Sequence, residues 1–470
     1  MTATGVPVAE APSRLGGGRI VVVGGGLSGV AAALECARAG APVTLIESRG
    51  RLGGAVYSFD RHGIHADNGQ HVFLRCCTAY RELLDELDAN AMVTLQSRLD
   101  IPILAPGGQR ASLRRSGWPA PLHLAGALLG YPMLSRGERL SVVRAMRALR
   151  AVDPDDPAAD ERSLGDWLRE HGQSEGAVEA IWSLIVRPTL NLIPDDASLA
   201  QAAQVFQVGL LDEASSGDVG YATVPLSEIH DVAAQRALAR AGVRVVLRRG
   251  ATGIAVERGR FLIESSGAPT LEADVVILAV SPDRAARLLP GPAAISRVSL
   301  ERLGSSPIVN LHIVFDRAVL DVPFAAGVHS PVQWMFDRTA SSGIASGHYL
   351  AVTLSAAEEE LDMTVEQLRA RYLPALSELL PAAREAQVLE FFVTREHSAT
   401  FRAAPGARAL RPGPVTDLPG LLLAGSWTDT GWPATMESAV RSGRAAAAEA
   451  VAALAGPVRR RERVLMSEPV

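Results

Sequence analysis

The sequence predicts an α/β fold with an added α+β part: a Rossmann-like nucleotide-binding domain interleaved with a substrate-binding domain. Three observations carry this. A glycine-patterned strand, turn and helix stand near the start, "RIVVVGGGLSG" at 19–29. Two more buried strands lie far downstream, "ADVVILAVSP" at 273–282 and "LLLAG" at 421–425, and a long small-residue helix follows the last. The stretches between differ in texture, mostly helical at 89–220 and strand-alternating at 291–416, with no internal repeat. The nucleotide-binding domain is therefore expected from 19–88, 221–290 and 417–456, and the substrate-binding domain from 89–220 and 291–416. Residues 1–18 read as a disordered leader and 457–470 as a mobile tail. At 470 residues the chain is too long for one simple core.

Taken in order, Ile20 to Val23 form a buried parallel strand, and Gly24, Gly26 and Gly29 then spell G-x-G-x-x-G. The first glycine permits the tight turn, the second lets a pyrophosphate approach the backbone, and the third lets helix pack on strand. Leu27 and Ser28 open the helix, whose N-terminus offers free N–H groups to an anion. Glu47 closes the second strand, "PVTLIE", where an acidic residue holds a ribose hydroxyl. Next comes "SRGRLGGAVYSF" at 48–59. Ser48, Arg49 and Arg51 lie within reach of phosphate oxygens. The doublet Gly53-Gly54 after a basic stretch resembles FAD enzymes of the amine oxidase and phytoene desaturase superfamily, which have the interleaved amine oxidase/glutathione reductase architecture. That resemblance implies FAD as cofactor.

In that superfamily a late strand returns to the first sheet and aims the following helix at the flavin. Here the junction reads "AGSWTDTGWPATMESAVRSG" at 424–443. The cofactor contacts it implies are Gly425, Ser426, Asp429, Trp432, Ala434, Thr435 and Met436. Pro433 suits a first helical turn, where its missing N–H costs nothing. The free amides there favour the charge of a reduced flavin. Two positions depart from the superfamily pattern: Ala55 stands where Arg is usual, and Ser426 where Asp is usual. Each departure removes a charged contact worth about 1.5–3 kcal/mol. Asp429, three residues on, is a candidate replacement for the second.

Composition narrows the rest. With 48% apolar residues and a net charge of −5, the chain reads as globular, with no sign of a nucleic-acid partner. Cys36, Cys76 and Cys77 make neither a disulfide framework nor a C-x-x-C pair, which suits a reducing, cytoplasmic setting. No metal site is expected. No run reaches the roughly 18 apolar residues of a membrane span. "GWPAPLHLAGALLGYPML" at 117–134 is apolar, nearly uncharged and bounded by prolines. It reads as a buried helix, as a lip that dips into one membrane face, or as the lining of an apolar tunnel, with Leu124, Leu128 and Leu129 on it. There is no lysine; every basic residue is arginine. Amine oxidases of this superfamily generally place a lysine near the flavin, and this chain cannot.

Five segments occur in order: "ADNGQHVFLRCCTAY" (66–80), "RPTLNLIPDDAS" (187–198), "VPLSEI" (224–229), "REHSATFRAAPG" (395–406) and "LLLAGSWTDTGWPATMESAVRSG" (421–443). As a set they resemble the hydroxysqualene dehydroxylases, over about residues 19–450. Members reduce hydroxysqualene to squalene in bacterial hopanoid biosynthesis, using reduced FAD. The resemblance implies a long-chain isoprenoid substrate, an electron donor of unknown identity, and a place on the inner face of the membrane. An allylic C–OH leaves as water once protonated, and the resulting cation accepts hydride from the flavin. Asp67, Gln70 and His71 match the segment expected beside the isoalloxazine, with Gly69 allowing close approach and His71 as proton donor. Trp427 and Trp432 are candidates to wall the site. The rival readings are a carotenoid-type desaturase, which withdraws hydride, and a non-catalytic isoprenoid carrier.

Overall fold

The structure, a computed structural model, describes residues 18–291 and 297–455, so the expected leader at 1–18, apart from Gly18, and the expected tail at 457–470 lie outside the described residues. Five strands form a parallel sheet: β1 (Ile20–Val23), β2 (Val43–Ile46), β3 (Arg244–Val246), β4 (Val275–Leu278) and β5 (Leu421–Leu423). Their spatial order is β3-β2-β1-β4-β5. Side chains alternate between two cores. Ile20, Val22, Leu45, Ile277 and Leu422 face one; Val21, Val23, Ile46, Val276 and Leu423 face the other. With both faces covered, β1, β4 and β5 are apolar throughout, which is why these runs show no polar alternation, whereas the edge strand β3 begins with an exposed arginine.

Helix α1 (Leu27–Arg38) and helix α2 (Met436–Ala455) pack together on the first face. Their contact is close enough to exclude a side chain: a Cβ on Gly443 of α2 would sit 2.1 Å from the Ser28 carbonyl oxygen of α1. The first and last elements of the nucleotide fold are thus locked face to face. A three-stranded meander over 251–273 precedes β4.

A second, seven-stranded sheet runs in the order 388–401, 305–315, 348–355, 334–337, 324–327, 100–105, 109–114. The helix Val365–Leu379, opened by a capping box between Thr364 and Gln367, covers one face. The expectation of a mostly helical 89–220 needs correction at its start, since 93–95, 100–105 and 109–114 are strands. They are short: 93–95 pairs with 219–222 and 100–105 with 324–327, both far along the chain, while 109–114 joins the sheet only through its hairpin with 100–105, so no strong local period marks them. Helices follow from residue 122 onward. The 117–134 segment contains only short helical turns, Leu122–Leu124 and Ala125–Leu129. It is split in character: Leu124 and Leu128 are buried, while Trp118, Leu122 and Leu129 face solvent.

Candidate active site

The glycine loop is explained by what a side chain would strike. At Gly24 (φ +111°) a Cβ would lie 2.2 Å from the Ala279 carbonyl oxygen at the end of β4, and at Gly29 it would lie 1.9 Å from the Gly24 carbonyl oxygen. Gly26 is different: its nearest protein atom would be 3.7 Å away, and its backbone is extended (φ −72°, ψ 178°). Packing does not require glycine there, so its bare surface is left for a ligand. No side chain caps α1, which leaves first-turn amides such as that of Ser28 open to an anion.

Gly53 and Gly54 dock on this loop. Gly53 N donates to Gly25 O at 2.9 Å, and Gly53 and Gly54 both have positive φ. Arg49 and Arg51 both donate to the Gly54 carbonyl, at 3.2 and 3.1 Å, and Arg51 stacks on the Tyr57 ring at 3.8 Å. Burial lowers the Arg51 pKa, with the neighbouring Arg49 adding to it. Glu47, buried at the end of β2, accepts from the amides of Gly25 and Arg49, both at 2.7 Å, and from the exposed Ser48 hydroxyl at 3.0 Å. Its carboxylate fixes the loop.

At the other end, Gly425 (φ +150°) leaves space that Trp427 fills; a Cβ would lie 2.4 Å from the Trp427 indole nitrogen. Trp427 is buried and donates to Val280 O at 2.8 Å, so it is a core residue, whereas Trp432 is half-exposed beneath the Arg441 guanidinium. Helix α2 starts at Met436, later than expected, with Thr435 as its cap: Ser438 N donates to the Thr435 hydroxyl at 3.2 Å. Pro433 belongs to the preceding turn and not to the helix. The amides of Ala434, Thr435 and Met436 donate to no acceptor among the described residues. Asp429 does not replace the carboxylate missing at Ser426. It is exposed, accepts from Gly431 N at 3.2 Å, and lies 3.9 Å from Arg408.

Two groups here carry no mark in the sequence. The Arg411 guanidinium is buried and donates to the carbonyls of Ser426, Trp427, Thr428 and Trp432, at 2.6 to 3.4 Å. Burial pulls its pKa down to about 10, which leaves it charged at neutral pH. Glu437, also buried, accepts from the amides of Ala79 and Tyr80 and from Arg441. It ties α2 to the helix Thr78–Glu86.

The segment 67–71 is pinned at its start and free at its end. Asp67 is buried and fully committed: it accepts from the Ser58 hydroxyl (2.7 Å), Leu226 N (3.0 Å) and Arg338 (2.7 Å). Arg338, 271 residues away, also holds Ala222 O and Val224 O. Asn310 and Thr394 both donate to Asn68 O. Gly69 is buried close to Asn310, where a Cβ would come within 3.3 Å of the amide nitrogen. Gln70 and His71 then border a cavity of about 380 Å³, also lined by Tyr221, Phe336, Asp337 and Arg338. The Gln70 amide nitrogen is buried with no protein partner. An unpartnered donor at a cavity wall is the mark of a ligand-facing group. The His71 Nδ1–H donates to Gly69 O at 3.1 Å, leaving Nε2 as the free nitrogen. Burial holds His71 below its ordinary value of 6.5, outweighing the Gly69 carbonyl, Asp67 and Glu396, so the ring is neutral at pH 7.

The bare Gly26, the open amides at the starts of α1 and α2, and Glu47 at the end of β2 fit a dinucleotide. Fold and site define an FAD-dependent oxidoreductase. The sequence pattern of the family described as flavin containing amine oxidoreductase matches residues 27–451, and the chain belongs to that family. Within it, the chain is 31% identical over 434 residues to hydroxysqualene dehydroxylase of Rhodopseudomonas palustris, covering 91% of this chain and 96% of that one. It is 26% identical over 491 residues to the probable zeta-carotene desaturase of Synechococcus elongatus, covering 93% and 100%. Cyclohexylamine oxidase of Brevibacterium oxydans shares the fold, with a TM-score of 0.67 at 19% identity over 93% of this chain and 99% of that one.

Proposed function

We propose that this enzyme reduces hydroxysqualene to squalene, removing an allylic hydroxyl as water. The observation that carries this reading is the likeness to a hydroxysqualene dehydroxylase along nearly the whole of both chains. FAD, held by Gly26, Glu47 and the amides of residues 434–436, supplies the reducing equivalents when reduced. The chain's own residues do the rest. The cavity beside Gln70 and His71 takes the reacting end of the isoprenoid and excludes water. Gln70 Nε2 donates to the substrate oxygen and orients it. His71, loaded with a proton at Nε2, is a strong acid because burial disfavours the imidazolium, and it hands that proton to the leaving hydroxyl. Asp67 and Arg338 position the segment and stay out of the chemistry.

The test is anaerobic incubation of the FAD-loaded protein with hydroxysqualene and dithionite, followed by product analysis. Squalene is expected; unchanged substrate would sink the reading. The match to a zeta-carotene desaturase favours a second reading, hydride withdrawal from a polyene, and the same assay with oxidised enzyme and a carotene precursor separates the two. A pH profile examines His71. With its pKa held below 6.5, the acid form grows as pH falls, so kcat should rise from pH 8 toward pH 6. His71→Gln should flatten that rise; a rise of the same slope in the variant would remove His71 from the proton path.

A further inference from the structure

The reading of a water-insoluble isoprenoid substrate raises the question of how the protein meets the membrane that holds it. No helix among the described residues is long and apolar enough to cross one. Of the ten large apolar side chains exposed among the described residues, five fall between 118 and 143: Trp118, Leu122, Leu129, Leu140 and Val143. That concentration marks one part of the surface as unlike the rest.

The helix Arg136–Leu149 has two faces. Val142, Ala145, Met146 and Leu149 are buried. Arg136, Leu140, Val143, Arg144 and Arg147 are exposed, and their spacing puts them on one side of the helix. Arg136, Arg144 and Arg147 form no ion pair among the described residues. The helix's own carboxylate is turned away: Glu138 accepts from Ser135 N at 2.8 Å and from the Ser174 hydroxyl at 2.6 Å. Arg139 donates to Leu129 O at 2.5 Å and to Leu134 O at 3.0 Å, which holds the turn carrying Leu129 beside the first turn of the helix. Trp118 and Leu122 belong to the same 117–134 segment.

We infer that this face docks on an anionic phospholipid surface, with the three free guanidinium groups against lipid phosphates and the aliphatic and indole side chains in the boundary layer. The inference rests on the isoprenoid reading for its purpose but not for its chemistry. Arginine beside exposed leucine and tryptophan is the composition of interfacial helices. A nucleic acid or an acidic protein would match the arginines and leave Leu129, Leu140 and Trp118 in water. On a chain of net charge −5, a run of unpaired arginines is a local reversal of sign, which orients the molecule toward an anionic surface.

The experiment is flotation of the full-length protein with vesicles of phosphatidylcholine alone and of phosphatidylcholine with about one-third phosphatidylglycerol. Binding to the anionic vesicles should be at least tenfold tighter and should weaken with salt. Arg144→Gln with Arg147→Gln should lower it about tenfold or more. Leu140→Ser with Val143→Ser should weaken binding and leave its salt dependence in place. Each altered side chain is exposed, so melting temperatures should stay near that of the parent. Equal binding to both vesicle types, or full binding by the Arg144/Arg147 double variant, would overturn the inference. So would displacement from vesicles by a short single-stranded DNA. Turnover in detergent micelles keeps the two readings apart: lost vesicle binding with normal micellar turnover rejects only this inference, and vesicle binding without turnover rejects only the reaction.

Discussion

The loop at 24–29 and the loop at 425–435 both lead into helix N-termini, yet the first is held by side chains that are missing and the second by one that is present. Gly24, Gly29 and Gly54 let backbone meet backbone, and the loop closes on itself and on β4. The later loop has its carbonyls gathered by the single buried guanidinium of Arg411. The first device is local and steric; the second is a charge brought in from outside the loop. They should fail differently, which the following changes test.

The largest effect is expected at Gly29. A Cβ there meets a backbone carbonyl at 1.9 Å, and no flexible neighbour can move aside. Gly29→Val should give no folded, soluble protein, judged by circular dichroism and gel filtration. A folded Gly29→Val variant would show that α1 can shift on β1, against the tight locking described above. Next is Arg411→Met. It leaves the carbonyls of Trp427, Thr428 and Trp432 without this donor, while Ser426 O keeps the Ser438 hydroxyl, and a buried unsatisfied group costs about 1–3 kcal/mol before relaxation. A loss of about 3 kcal/mol in urea unfolding is expected, with weakened FAD binding. Unchanged stability would mean that the loop is held by Trp427 and the α2 contacts alone.

Gly26→Ala sharpens the contrast inside the first loop. Its backbone suits alanine, and the new methyl meets no protein atom closer than 3.7 Å. The melting temperature of the apoprotein should therefore stay within about 2 °C of the parent, a shift below the roughly 1 kcal/mol level. The methyl would occupy the approach proposed for the pyrophosphate, so FAD affinity should fall about 100-fold, near 2.7 kcal/mol. If apoprotein stability drops while FAD still binds, Gly26 is structural and the cofactor lies elsewhere.

The same contrast explains what could be read from the sequence. The parallel sheet was legible because its central strands are apolar on both faces, and the glycine pattern was legible because steric exclusion permits one residue type. The location of Gln70 and His71 at a cavity followed a family resemblance, not a local signal. Arg338 and Arg411 could not be found that way. Both are arginines among many, and their meaning comes from partners: Asp67 is 271 residues from Arg338, and the carbonyls that Arg411 holds look alike in any sequence. The hairpin of 100–105 and 109–114 is hidden for the same reason, since it joins, through 100–105, a sheet whose other strands lie 200 or more residues later. The missing carboxylate at Ser426 gained no substitute from Asp429, because proximity in sequence did not turn that side chain inward.

The smallest effect is expected at Thr435, and it separates backbone from side chain at the second loop. The Thr435 hydroxyl accepts from Ser438 N and caps α2, while its own amide is among those left open. Thr435→Ala removes the cap and keeps the amide. A missing threonine cap costs about 1 kcal/mol, and on a helix of 20 residues packed against α1 only the first turn should loosen. Urea unfolding should show that loss, while the flavin reduction potential stays close to the parent's if backbone amides and the helix dipole carry the interaction. Thr435→Ser restores an oxygen acceptor and should recover the stability. A large potential shift in Thr435→Ala that Thr435→Ser reverses would assign the flavin contact to the hydroxyl, and the second loop would then depend on a side chain for its ligand as well as for its shape.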